Sequence, residues 1–243
     1  MFKELKNKLI ADGKLKRYVI YALGEIFLIV IGILVAMNLD DWNDNQKDIL
    51  RSESFLKEIH FDLKSDTAIF GEEIRKIDKI IFYKSMLLQK DSLRLIESDI
   101  IISVLTVGYH NLRINEGSYI KMKESGIAAP DKYNKLFKRI NAYYVFNKTY
   151  LENRNDWEVG LYERDMNQWI FQDKVEIKIG SATNDFQDAA VKRKNLIGML
   201  ESPQGRNVLK MSLFRENQMK ETYKIVEKSA NKLLIKIDSL SLK

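Results

Sequence analysis

The chain has 243 residues, room for one domain plus an additional segment. Its 45% hydrophobic and 30% charged content supports a packed core and excludes wholesale disorder. Eleven glycines and two prolines leave little punctuation, so long and mostly helical elements are expected; zero cysteines exclude disulfides, thiolate metal sites and cysteine nucleophiles. The net charge of +6 is uneven, because Lys3, Lys6, Lys8, Lys14, Lys16 and Arg17 face only Glu4 and Asp12 in the first 17 residues. A basic excess confined to an N-terminus points to a membrane surface rather than nucleic acid. No basic run interleaved with aromatics elsewhere offers a base-stacking platform, so no nucleic-acid partner is expected.

Residues 1–17 read as a basic cytoplasmic segment with Phe2, Leu5, Leu9 and Ile10 on one helical face and Gly13 near its end. A frayed tail that only sets topology is the alternative. Tyr18–Leu39 follows as 22 residues with one charge, Glu25. At about 1.5 Å per residue it spans about 33 Å, enough for a hydrocarbon core of about 30 Å. Tyr18 and Tyr21 at one end and Trp42 at the other stand where an aromatic belt would lie. Basic residues precede the span and Asp40, Asp41, Asp44 and Asp48 follow it, which places the N-terminus in the cytoplasm and residues 40–243 outside it. The rival is a cleaved signal peptide, but cleavage after Ala36 puts Leu34 at the −3 position, where a small residue is wanted. An uncleaved anchor is the expectation.

Two features of the span invite function. A carboxylate at the depth of Glu25 is costly. Three readings stand for it: a paired helix–helix contact, a protonated or headgroup-reaching side chain, and part of a proton or ion path in an assembly. Gly24, Gly32 and Ala36 form a small-residue face that lets helix backbones approach closely. Its alternative is ordinary membrane-helix composition.

The stretch GEIFLIVIGILVAMNLDDWND, Gly24 to Asp44, resembles the N-terminal signature of an uncharacterised family of single-span Bacteroidota membrane proteins, of the form GEI…IGIL…WN. YIKMKESG, Tyr119 to Gly126, is similar to that family's Tyr-x-x-x-Lys-x-Ser-Gly segment. The usual Asn-Asn before Trp-Asn is replaced here by Asp40-Asp41. The resemblance implies one inner-membrane span with a helical domain outside the cytoplasm, and it implies no activity.

Beyond the span, Leu56, Ile59, Leu63, Phe70 and Ile77 keep a heptad rhythm with Ile74 and Ile81 flanking, on a helix that either continues the span or forms one arm of a hairpin. Asp91-Ser92 offers an N-cap for a helix from Leu93 to Leu105, and Val107–Gly117 reads as a loop. Ser118–Ser125 should be a short helix ended by Gly126. Pro130 should open a helix carrying Phe137, Ile140, Tyr144, Leu151, Trp157 and Leu161 and running to about Phe171. Its many aromatics (Tyr133, Tyr143, Tyr144, Tyr150, Trp157, Trp169) read as core. Val175–Ser181 alternates but lacks a partner strand and reads as an extended connector. A helix near Asp185–Leu200 follows, then Ser202-Pro203 opens a last helix with the seam Met219, Tyr223, Val226, Ala230, Leu233, Ile237 and Leu240. Its Lys220, Lys224, Lys228, Lys232 and Lys236 read as a solvated face. The predicted fold is all-α: a single transmembrane helix followed by an antiparallel long-helix bundle.

No nucleophile elbow, phosphate-binding loop, HExxH or EF-hand spacing is present. His60 reads as a surface residue, and His110 sits in the expected loop with no catalytic role. No catalytic residue, metal site or cofactor is expected. The expectation is a non-enzymatic inner-membrane protein whose periplasmic domain is a scaffold or interaction subunit. Its partners would be membrane lipid and either further copies of itself or another membrane-complex subunit. A sensor or gating subunit with assembled Glu25-bearing spans is the alternative.

Overall fold

The computed structural model describes residues 14–170, 174–177 and 186–240. Helix α1, Lys14–Leu87, runs 74 residues without interruption, about 110 Å at about 1.5 Å per residue. It contains no proline, and its one glycine beyond the apolar stretch, Gly71, does not break it. From Tyr18 to Lys47 every side chain is exposed. This is the one helix among the described residues long and apolar enough to cross a membrane. From Ser52 onward the same helix has an inner face: Leu56, Ile59, Leu63, Phe70 and Ile77 are fully buried, with Ile74 and Ile81 partly buried beside them. The heptad expectation holds there.

The other regular elements among the described residues are all helices, with no strand. Helix α2 (Lys90–Leu93) and α3 (Ser98–Leu105) stand where one helix from Leu93 to Leu105 was expected. The break has a cause: Arg193 donates to the carbonyls of Arg94 and Ile96, each at 2.8 Å, and so takes the acceptors a continuous helix would use. Gln89, not Asp91 or Ser92, occupies the cap position. Residues 107–116 form the expected loop, and α4, Gly117–Glu124, ends as expected at Gly126 with φ of 65°. Pro130 opens a turn rather than a helix; its carbonyl accepts from the Tyr133 N–H, and α5 begins at Asn134 and ends at Ala142.

A π segment, Tyr143–Asn147, then joins α5 to α6, Lys148–Trp169. Both tyrosines at its start are buried, Tyr143 with its hydroxyl toward Asp66 and Tyr144 stacked on Tyr119 at 4.4 Å. Consecutive residues of a regular helix diverge by about 100°. The wider turn accommodates both rings inside and shifts the phase of everything after it. The seam of α6 therefore passes through Leu151, Asn155, Glu158, Asp165 and Trp169, all buried, while Trp157 and Leu161 are half-exposed and Tyr150 is exposed.

Residues 175–177 are irregular, as expected of a connector; the rest of Val175–Ser181, with Asp185, Phe171 and almost all of residues 1–17, lies outside the described residues. Helix α7, Ala189–Glu201, is capped by Asp188, whose side chain accepts from the N–H groups of Ala190 and Val191. Helix α8, Pro203–Asp238, starts as predicted, with Ser202 Oγ accepting from Gly205 N–H at 3.0 Å. Gly205 is required there, because a Cβ would overlap the Met199 carbonyl.

The C-terminal part of α1 pairs with α8 in the opposite direction: His60 meets Asp238, Phe70 meets Tyr223, and Lys84 meets Glu216. Two apolar cores result. The larger joins Leu56–Ile77 of α1 to Met219–Ile237 of α8, with α4 and α5 over it. The smaller gathers Leu87, Ile101, Trp169, Leu196, Leu200 and Leu209 at the far end.

Candidate functional site

The heptad of α8, followed backward from Met219, continues through Glu216, Ser212 and Leu209. On α1 the seam runs through Asp66, Phe70 and Ile77 to Lys84, and on α6 it carries Glu158 and Asp165. All of these charged groups are buried. Lys84, Glu158, Asp165 and Glu216 meet in one layer between the two apolar cores, and Asp66 belongs to a second one. Lys84 Nζ donates to Glu216 Oε1 at 2.5 Å and to Ser212 Oγ at 2.7 Å. Arg215 donates from Nε to Glu158 at 3.0 Å, from Nη1 to Asp165, and from Nη2 to Ser212 Oγ at 3.4 Å. His110, 4% exposed, stands between Glu73 Oε1 at 3.0 Å from Nδ1 and Glu216 Oε2 at 2.7 Å from Nε2.

An imidazole with a carboxylate at each nitrogen is best satisfied as the cation, donating from both. Burial alone would lower the His110 pKa, but the hydrogen bonds to Glu216 and Glu73 and the charges of Glu216 and Glu158 outweigh it and raise it to about 9. Burial would likewise raise Glu216, yet His110 and Lys84 hold it below the usual carboxylate range. Glu158 moves the other way. Its burial wins over Arg215, which it shares with Asp165, so its pKa is raised. Lys84, His110 and Arg215 thus face Glu73, Glu158, Asp165 and Glu216, three cationic groups against four carboxyls.

A second polar layer explains why the loop 107–116 can be drawn into the interior. Buried backbone groups need partners, and side chains supply them. Leu112 donates its N–H to Tyr223 Oη at 3.3 Å, and its carbonyl accepts from Asn155 Nδ2 at 2.8 Å. Asn115 N–H donates to Asp66, and its side chain donates to Asp62 at 3.0 Å. Asp62 also accepts from the Ser118 N–H at 3.0 Å and so caps α4 from another helix. No cation is bonded to Asp62 or Asp66 among the described residues. Burial, helped by the Asp62 charge, raises Asp66 to about 7, against the lowering effect of Asn115 N–H and Tyr143.

The chemistry these layers support is structural: charge neutralisation and satisfaction of buried backbone. Among the described residues no group of three or more His, Asp or Glu side chains is placed to hold a metal.

The residues singled out in the sequence lie elsewhere. Tyr18, Tyr21, Gly24, Glu25, Gly32, Ala36 and Trp42 all sit on the exposed stretch of α1, and a Cβ at Gly24 or Gly32 would meet nothing within 4 Å. Among the described residues none of them meets another element. His60 is a surface residue paired with Asp238 at 2.8 Å. His110 occupies its expected loop but is buried in the layer's centre, which the sequence reading missed. The available signal was the continuation of both heptads through charged residues.

Residues 25–202 match the family of unknown function DUF6090. The chain belongs to this family. No curated protein and no solved structure matches it. The DUF6090 region takes in Glu25 and the apolar part of α1, the whole loop with His110, and the layer residues Glu73, Lys84, Glu158 and Asp165; Ser212, Arg215 and Glu216 on α8 follow it.

Proposed function

We propose that this DUF6090 protein is a non-enzymatic, single-pass inner-membrane protein. Residues 18–39 form the span, the N-terminus is cytoplasmic, and an antiparallel helical bundle outside the cytoplasm serves as a scaffold or interaction subunit. One observation carries the reading. The apolar, exposed stretch and the core-forming stretch are the same uninterrupted helix, α1. A domain built this way is held rigidly on its anchor, as a scaffold requires.

The phase of α1 supports a choice of which side of the span faces outward from the domain. Glu25 lies ten helical turns before Phe61 at about 3.6 residues per turn, and Phe61 is 73% exposed on the side of α1 away from the core. On this reading Glu25, Gly32 and Ala36 fall within about 20° of Phe61 in helical phase and Gly24 about 100° from it, so most of the Gly24/Gly32/Ala36 face is on the side the domain leaves open, where a second copy or another membrane subunit can approach. Lipid meets the remaining faces.

The test is native mass spectrometry of the full chain in detergent, together with a C-terminal alkaline phosphatase fusion. The reading predicts an active fusion and an assembly that Gly32→Leu dissociates, since Leu at that position disturbs nothing within the chain. An inactive fusion removes the topology, and a mass unchanged by Gly32→Leu removes the packing face.

The second reading, a sensor or gating subunit, draws on the charged layer. Lys84 is held from α8 and Glu73 from the loop, so a movement of the domain would reach the Glu25-bearing stretch with little slack. On that reading Glu25→Gln assembles normally and abolishes pH-dependent conduction; on the scaffold reading it changes nothing measured beyond the charge.

A further inference from the structure

The segment Tyr119–Gly126 has no part in either polar layer, yet it builds one wall of a cavity of about 390 Å³. The cavity lies between the end of α4 and the face of α5. Met122, Ile127, Ala129 and Phe137 supply an apolar floor, and Lys123, Lys138, Asn134 and Asn141 stand around it. No carboxylate lines it.

Several acceptors of this wall are already engaged. The last carbonyls of α4 are occupied: Lys121 O accepts from Ser125 N–H at 3.0 Å, Met122 O from Ser125 Oγ at 2.7 Å, and Lys123 O from Gly126 N–H at 3.3 Å. Tyr119, fixed by its stack on Tyr144, donates its hydroxyl to Asn141 Oδ1 at 2.6 Å. That bond uses the acceptor end of the amide and leaves Nδ2 as its free donor. Lys123 and Lys138 form no ion pair among the described residues. Two ammonium groups and an oriented amide N–H thus ring an apolar floor. The volume falls in the range of about 300–1,000 Å³ typical of small-molecule sites.

We propose that this cavity binds a small solute bearing one carboxylate or phosphate on an apolar body, the anion held by Lys123, Lys138 and Asn141. Its source is a free solute rather than a bilayer lipid, a choice that rests on the membrane reading above. The chain just before Asn134 is tied to α1 through Tyr133 and Lys132, both bonded to Glu53. Glu53 stands eleven residues beyond Trp42, about 17 Å along the helix, whereas headgroups reach only about 5–7 Å past the hydrocarbon.

The experiment uses the full chain in phosphatidylcholine nanodiscs, titrated calorimetrically with 3-phenylpropionate and phenyl phosphate, and with 3-phenylpropanol as the neutral analogue. Saturable binding of at least one anion is expected, at least tenfold tighter than the alcohol. Lys123→Gln with Lys138→Gln, both exposed and unpaired, should weaken it at least tenfold while the circular dichroism melt stays put; Tyr119→Phe should weaken it less. No saturable binding of either anion up to about 10 mM overturns the site, as does binding that the double variant leaves unchanged. If phosphatidylglycerol in the nanodisc abolishes probe binding, the ligand is a lipid and the free-solute source is wrong. An inactive phosphatase fusion would remove the proposed topology and leave these binding results standing.

Discussion

Between α1, α6 and α8 the charged layer gives Glu73, Glu158, Asp165 and Glu216 cationic partners in Lys84, His110 and Arg215; beside the larger core, Asp62 and Asp66 are bonded, among the described residues, only to N–H groups, an amide and a tyrosine hydroxyl. Asp62 and Asp66 are buried, as are Glu158, Asp165 and Glu216, so burial alone does not decide how a charge is kept. The first layer joins long helices whose apolar seams would slide past one another at low cost. Pairing Lys84 with Glu216 and Arg215 with Glu158 and Asp165 admits one register, the best-attested use of buried charge. The second layer joins a helix to a loop, and there the carboxylates replace missing backbone partners.

Breaking the first layer should cost most. Arg215→Ala leaves Glu158 and Asp165 buried without their cation, and a loss of about 3–5 kcal/mol is expected in chemical denaturation of the full chain. A loss under about 1 kcal/mol would mean that the layer is hydrated in solution and does not set the register.

The pH response separates the layers next. His110, raised to about 9, contributes stability that is complete below its ordinary value of 6.5 and is lost as pH climbs through 9. The drop is on the order of 3 kcal/mol, and His110→Gln should flatten it. Asp66 is a carboxylate with a raised pKa, so the folded chain favours its protonated form. Its contribution is complete below 3.8 and lost as pH rises through about 7. Asp66→Asn should remove this lower window and leave the upper one. Denaturation midpoints across pH 4 to 10 check both; a single window lost in both variants would merge the layers into one titrating unit.

The smallest effect belongs to the loop. Asp62→Ala removes the acceptor for Ser118 N–H and Asn115 Nδ2, which should cost about 1–2 kcal/mol. Hydrogen exchange should quicken at Ser118 while α8 stays protected. Equal loss of protection in α8 would contradict a local role.

Much of this architecture was legible. The heptads Leu56–Ile77 and Met219–Ile237, the Ser202-Pro203 start and the Gly126 stop each rest on spacing or backbone geometry that a sequence displays. The charged layer followed the same spacing but escaped, because a lysine on a seam becomes plausible only once Glu216, 132 residues away, is known to face it. The gap between α2 and α3 likewise depends on Arg193. The π segment moved the α6 seam from Trp157 and Leu161 to Glu158 and Asp165. No periodicity reports an inserted residue until two tyrosines are seen to be buried side by side.

The claim beneath all of this is that α1 is one rigid helix from the apolar stretch into the core. The chain has no cysteine, so Leu39→Cys and Phe61→Cys, both at exposed positions, accept spin labels uniquely. Pulsed electron paramagnetic resonance of the full chain in nanodiscs should give one narrow distance near 33 Å, the rise of 22 residues at about 1.5 Å each. A broad distribution, or a main distance well below 30 Å, would show a hinge between the two halves and contradict the account.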